Sequence, residues 1–251
     1  MSPPAEIEII AHRGYSARAP ENTLAALRAA MEAGADAVEF DLHTAACGTP
    51  VLFHDAMLSR TTNGVGPLRR RTLGQLKGLD AGKWFAPEFA GERIPTFQEA
   101  LELVKGRVGR VYAEVKGFRE LEDLDRMVRI ARDAGMLAEV VFISMNWTLL
   151  DRMRGQEPAL NIGYIVDEES EISEARTRAQ GDTAALLDFK AQLLLDHPEV
   201  ARQVAESGID MAVWTVNDAE TASALYDGGV RRFTTNEVDA LLAWKAARAA
   251  G

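Results

Sequence analysis

Along this chain, short apolar runs alternate with longer stretches in which apolar residues recur at helical spacing. Residues 8–11 form a β-branched run, and residues 22–33 carry Leu24, Leu27 and Met31 at helical spacing behind an Asn22-Thr23 cap. Residues 37–42 return to strand, and 49–53 read as a hairpin strand after the Cys47-Gly48 turn. An irregular piece follows until Thr96 caps a helix over 97–104. About 50 residues is far longer than the usual connection between barrel elements, so 44–95 is expected to form an inserted small subdomain over the mouth. Beyond it the alternation is regular, with strands at 110–115, 140–144, 160–166, 184–187, 211–216 and 230–234. The helices between and after them fall at 121–134, 147–154, 171–180, 198–207, 219–226 and 238–249. With the hairpin strand set aside, eight principal strands are each followed by a helix, which predicts one α/β domain over 1–251, a parallel (β/α)8 TIM barrel. The sixth strand, 184–187, carries the faintest pattern.

Composition narrows the partners. A net charge of -10 argues against a nucleic-acid surface, which needs a basic stripe. An anionic small substrate stays compatible, because a bound metal and a few local cations reverse the sign inside a cleft. The start has no basic segment followed by a long apolar run, so no secretory signal is read. No later stretch reaches the roughly 18 apolar residues of a spanning helix, so no stable membrane insertion is expected. Cys47 is the only cysteine and gives no disulfide framework, which makes the cytoplasm the default location.

In a barrel of this kind the chemistry sits where strands end at the carboxyl face. Glu39 and Asp41 share one face of the second strand, since side chains alternate along an extended chain. Two acids placed together must be satisfied by a cation, water or protonation. With Glu114 from the next strand they could form the all-oxygen shell that Mg2+ or Ca2+ prefers. His12 ends the first strand and His54 closes the hairpin, giving two groups able to act as general base and general acid. Arg13 and Lys116 supply fixed positive charge, although pairing with the acids just named would account for them too. Trp214 ends the seventh strand beside Asn217. His43 lies past the strand end and is expected to be exposed, and His197 beside Pro198 reads as part of a helix start.

Several runs together carry a family resemblance: I-A-H-R-G from Ile10, P-E-N-T-L from Pro20, G-A-D-A-V-E-F-D-L from Gly34, P-V-L-F-H-D from Pro50 and L-S-R-T-T-N-G-V-G from Leu58. I-P-T-F from Ile94, A-E-V-K from Ala113 and V-W-T-V-N from Val213 continue it nearly to the end. The chain thereby resembles the glycerophosphodiester phosphodiesterases of the cytoplasmic bacterial type. H-R-G, E-x-D, H-D and E-x-K in that order are the specific part, whereas V-W-T-V-N or P-E-N-T alone is weak.

The resemblance implies a barrel with an insertion after the second strand. It also implies metal-dependent hydrolysis of glycerophosphodiesters, such as glycerophosphocholine or glycerophosphoethanolamine, to glycerol 3-phosphate and an alcohol. By the same resemblance His12 and His54 are the acid-base pair, and Glu39, Asp41 and Glu114 hold the Mg2+ or Ca2+. Arg13, Lys116 and Trp214 contact substrate, and a neighbouring glycerol hydroxyl attacks first to give a cyclic phosphate. The alternatives are a related barrel phosphodiesterase acting on lysophospholipids or phosphoinositol headgroups, and a non-catalytic glycerophosphodiester sensor. Three positions depart from the family pattern: Ala46-Cys47 in place of Lys-Asp before Gly48, Met145 after Ser144, and Asn236 where an Asp is usual. Asn236 keeps an acceptor able to cap the last helix.

Overall fold

The computed structural model describes residues 6–249. The opening five residues, over which part of the no-signal reading falls, lie outside it. Nine strands appear in the order β1 (Glu8–Ala11), β2 (Ala37–Thr44), β3 (Pro50–Leu52), β4 (Arg110–Val115), β5 (Val140–Ser144), β6 (Asn161–Val166), β7 (Ala185–Lys190), β8 (Asp210–Trp214) and β9 (Arg232–Thr235). Eight of them pair in parallel around a closed circuit β1-β2-β4-β5-β6-β7-β8-β9, which β9 completes by pairing with β1. The short β3 runs antiparallel along the far part of β2, with Thr44 opposite Pro50. The chain is therefore a (β/α)8 barrel, and the hairpin is an appendage of its second strand.

Helices α1 (Leu24–Ala33), α2 (Leu73–Lys77), α3 (Phe97–Val104), α4 (Leu121–Asp133) and α5 (Trp147–Gln156) are followed by α6 (Ile172–Ala179), α7 (Ala191–Asp196), α8 (Pro198–Glu206), α9 (Ala219–Asp227) and α10 (Val238–Ala249). Thr23, Thr72, Thr96 and Asp218 each accept a backbone N–H of the first turn, an interaction that contributes roughly 1 kcal/mol at a helix start. The outer core lies between sheet and helices, where Phe40, Phe97 and Phe142 are fully buried edge to face. The barrel interior is filled by Ile10, Ala37, Tyr112, Val141, Ile143, Ile165, Leu186 and Ala212. Those side chains fill the middle of the axis, and the cavity that holds the acids and histidines of the strand ends lies toward the carboxyl face.

Three elements differ most from the sequence pattern. The sixth barrel strand extends to Lys190, past the expected end at 187, because Phe189 packs into the core while Asp188 turns inward, a charged residue that interrupts the apolar pattern. The short helices α2 and α7 lack the length over which periodicity can be read. Residues 44–95 carry β3, α2 and a small apolar cluster of their own, including Ala45, Val51, Phe53, Leu58, Leu68, Leu76 and Ile94. No helix of the described residues is long and apolar enough to cross a membrane.

Candidate active site

The turn after β1 is shaped by three left-handed residues, Arg13 (φ 56°), Gly14 (φ 74°) and Asn22 (φ 58°). At Gly14 a Cβ would stand 2.5 Å from the backbone carbon of Ala26, so only glycine fits. This turn aims the Arg13 N–H at Glu39 Oε2, 2.8 Å away, and the Gly14 N–H at the Glu39 backbone carbonyl. Thr23 alone caps α1, which frees Asn22 to grip Asp41 twice. Its Nδ2 donates to Asp41 Oδ2 at 2.7 Å, and its Oδ1 accepts the Asp41 N–H at 3.0 Å. The P-E-N-T run thus serves both the helix and the site.

Glu39, Asp41 and Glu114 bring one carboxylate oxygen each to within 4.8 Å of the others, all in a buried setting. Arg13 Nε lies 3.1 Å from Asp41 Oδ2, and Lys116 Nζ lies 2.7 Å from Glu114 Oε1 and 3.6 Å from Asp41 Oδ1. Even so, Glu39 Oε1 and Asp41 Oδ1 have no hydrogen-bond partner among the described residues. Burial, reinforced by the Asp41 and Glu114 charges, pushes the Glu39 carboxyl well above the usual range. Burial works the same way on Asp41, but Arg13 and Lys116 overcome it and hold this carboxyl low. Glu114 is pushed up to about 7 by burial and by Asp41, against the pull of Lys116. A hard divalent cation fits this set, since it would use the two orphaned oxygens and relieve the mutual repulsion.

The two histidines flank the acids. His12 Nε2 stands 3.9 Å from Glu39 Oε2, and burial together with the Arg13 charge lowers its pKa to about 4. Its Nδ1 lies 2.7 Å from Asn236 Oδ1, which also accepts from Ser16 Oγ at 2.9 Å. The expected helix-capping role of Asn236 is therefore replaced by a bond to His12. His54 Nδ1 lies 2.6 Å from Asp55 Oδ1. Arg60 then joins Asp55 to Glu21, and Glu21 accepts from Arg13 at 3.0 Å, so the hairpin is tied to the first strand's loop. His43 is half-buried within β2, not exposed, because β3 prolongs the ladder; its Nε2 lies 3.0 Å from the His54 backbone oxygen.

A cavity of about 250 Å³ brings these groups together. His12, Arg13, Glu39, His54, Glu114, Lys116 and Trp214 line it, with Ile143, Met145, Ile165, Thr215, Thr234 and Asp188 completing the wall. Asp41 is not part of that lining but pairs with Arg13 and Lys116, which are. Glu21, Arg60 and Asp188 escaped the sequence reading, and Asn22, Asp55 and Asn236 were named in it without their contacts at the site. The Asn-Thr pair was a usable signal, since a helix start takes one capping residue.

A closed parallel barrel gathers three acids, two imidazoles, an arginine and a lysine at its carboxyl face, a set of groups that could hold a metal ion. The description of the Glycerophosphoryl diester phosphodiesterase family matches residues 12–240, and the chain belongs to that family. It is 31% identical over 238 residues to a glycerophosphodiester phosphodiesterase of Caldanaerobacter subterraneus subsp. tengcongensis, covering 93% of this chain and 96% of that one. Among solved structures it is similar to a phosphodiesterase of Oleispira antarctica in complex with the product sn-glycerol-3-phosphate. That match has a TM-score of 0.83 and 30% identity, over 94% of this chain and 96% of that one. A glycerophosphodiester phosphodiesterase of Thermotoga maritima superposes with a TM-score of 0.78 at 29% identity, over 96% and 99% of the two chains.

Proposed function

We propose that this chain hydrolyses glycerophosphodiesters to glycerol 3-phosphate and an alcohol, with Glu39, Asp41 and Glu114 holding a divalent Mg2+ or Ca2+. The observation that carries the reading is the pair of buried, unpartnered oxygens, Glu39 Oε1 and Asp41 Oδ1, beside two imidazoles in one cavity. Membership of the family and the product bound to the Oleispira relative support the same reaction. When bound, the ion would polarise a phosphoryl oxygen and acidify a nearby hydroxyl.

The chain's own groups supply the rest. Arg13 and Lys116 hold the phosphate oxygens by charge. His12, kept neutral by burial and carrying its proton on the Asn236 side, presents Nε2 as the base. It removes the proton of the glycerol hydroxyl next to the phosphate, whose oxygen attacks phosphorus. The bond to the leaving alcohol breaks, and His54 delivers the proton that this oxygen takes up. The cyclic phosphate is then opened by water with the roles reversed: His54 takes a water proton, and His12 returns its own to the glycerol oxygen. Proton count is restored, and no protein nucleophile is needed.

We further propose that residues 1–251 act as one catalytic domain, with the insertion at about 44–95 bringing His54 to the mouth. The test is release of glycerol 3-phosphate from glycerophosphocholine, glycerophosphoethanolamine and a lysophospholipid, with and without chelator. Full activity after complete chelation would remove the metal; absence of turnover on every diester would favour a sensor.

A further inference from the structure

Asp188 projects into the barrel from β7 and is 3% exposed. Its Oδ1 has no hydrogen-bond partner among the described residues, although it lines the same cavity as the histidines and acids. Ile143, Ile165 and the ring of Trp214 line the cavity with it, and Glu114 and Lys116 lie near enough to act on its charge in opposite senses. The Trp214 indole N–H donates to the Asp188 backbone carbonyl at 3.3 Å, so it does not satisfy the carboxyl. Leaving such a group unpaired in a folded interior is unfavourable, which marks it as waiting for a partner from the cavity. Burial, with the Glu114 charge adding to it, pushes this carboxyl up to about 8. A buried carboxyl, whose charged form is disfavoured there, matches a hydroxyl that donates to it better than an ammonium.

Position decides which hydroxyl. Around the closed circuit, β7 lies four strands from β2 in either direction, so Asp188 faces Glu39 and Asp41 across the barrel axis. In the proposed reaction a phosphate held at Arg13 and Lys116 would direct one ester arm into the cavity toward that far wall. The other arm leaves past His54, whose side chain is 31% exposed at the mouth and which protonates the departing alcohol. The inner arm is thus the glycerol, whose size is the same in every substrate, while headgroups of varied size stay outside. With its second hydroxyl at His12, as the proposed reaction requires, the glycerol would lay its carbons along Ile143 and Ile165 and extend its terminal hydroxyl across the cavity.

Resting on the function proposed above, we infer that Asp188 binds the terminal hydroxyl of the substrate's glycerol and so selects fully deacylated diesters over those acylated at that oxygen. An acylated oxygen has no hydrogen to give and brings a chain that the closed inner end does not admit. Sites built to hydrogen-bond a hydroxyl discriminate strongly against analogues that lack it, because the protein group is left unpaired.

The experiment compares kcat/KM for glycerophosphocholine with that for its deoxy analogue, in which the terminal CH2OH is replaced by CH3. The wild-type chain should prefer glycerophosphocholine by roughly tenfold or more. In Asp188→Leu that ratio should collapse to within about threefold, whereas Asp188→Asn, which keeps a donor and an acceptor, should retain most of it. Competitive inhibition by inorganic phosphate should be the same in all three proteins, establishing that the phosphate subsite is intact. An unchanged ratio in Asp188→Leu overturns the assignment, as does a loss of phosphate inhibition with the ratio preserved. A wild-type chain that hydrolyses neither diester overturns the proposed function itself, a different outcome from hydrolysis without discrimination.

Discussion

Asn236 Oδ1 stands 2.7 Å from His12 Nδ1, joining the end of the last barrel strand to the end of the first. Because Oδ1 only accepts, the neutral ring carries its proton on Nδ1 and leaves Nε2 free toward the cavity. Asn236→Ala frees the ring and its tautomer, and kcat is expected to fall about 10- to 100-fold with little change in KM, as for other groups that orient a reacting side chain. Asn236→Asp restores an acceptor and with it most of kcat. The added negative charge favours the imidazolium, so the acid limb of the kcat/KM profile moves to higher pH. A pH profile of the three proteins checks both points, and identical profiles would leave Asn236 without a role in catalysis.

The division of labour between the histidines predicts a difference that single substitutions on natural substrates miss. His12→Ala and His54→Ala should each lower turnover of glycerophosphocholine by about 10²- to 10⁴-fold. With glycerol 3-phosphate esterified to p-nitrophenol, the leaving oxygen needs no proton. His54→Ala should then release p-nitrophenol in a single turnover at close to the wild-type rate, although opening of the cyclic phosphate stays slow, while His12→Ala stays impaired in the release itself. Recovery in the opposite variant would exchange the two roles.

Much of this was legible in the chain, for identifiable reasons. Parallel strands buried on both faces write themselves as apolar runs, so seven of the eight barrel strands stood out, and helices α1, α3, α4 and α9 announced themselves by threonine or charged starts followed by apolar spacing. The acids, histidines and basic residues at strand ends were visible because inward alternation places them there. What escaped lies one step further out. Asn236 and Asn22 carry ordinary capping side chains, and only the fold reveals that they face His12 and Asp41. Asp188 follows a short apolar run, where a charged residue reads as the strand's end instead of its functional part.

The apo protein should lose stability as pH rises from about 6.5 to 8. His12, depressed to about 4, contributes stability that is complete above its unfolded value of 6.5 and is lost as pH falls toward 4. Asp188 and Glu114 run the other way: raised to about 8 and about 7, they hold their protons longer in the fold than unfolded, so stability declines as pH climbs to those values. The opposing slopes overlap below 6.5, and above it only the decline remains, amounting to roughly 1–2 kcal/mol at 1.36 kcal/mol per pKa unit. Thermal melts in chelator should show it, and Asp188→Asn should flatten the curve. Added Mg2+ or Ca2+ should raise Tm more at pH 8 than at pH 6, because the ion binds the ionised acids.

The amino end of the barrel is held by a different charge cluster, which should matter for folding and not for chemistry. Arg232 and Asp210 are both at least 98% buried, and Arg232 Nη2 donates to Asp210 Oδ2 at 2.7 Å. Arg232 also pairs with Glu8, which accepts from the Tyr112 hydroxyl at 3.0 Å, so β1, β4, β8 and β9 meet at one point. Asp210→Ala strands the guanidinium in a closed interior and should cost about 3–5 kcal/mol in denaturant unfolding, the range for breaking one side of a buried pair. Replacing Asp210 and Arg232 together by Leu and Met removes both charges and should recover a large part of that loss. The folded fraction of either variant should keep wild-type kcat, because the cluster lies at the opposite end of the strands from the histidines. A fall in kcat that exceeds the unfolded fraction would show that the two ends of the barrel are coupled.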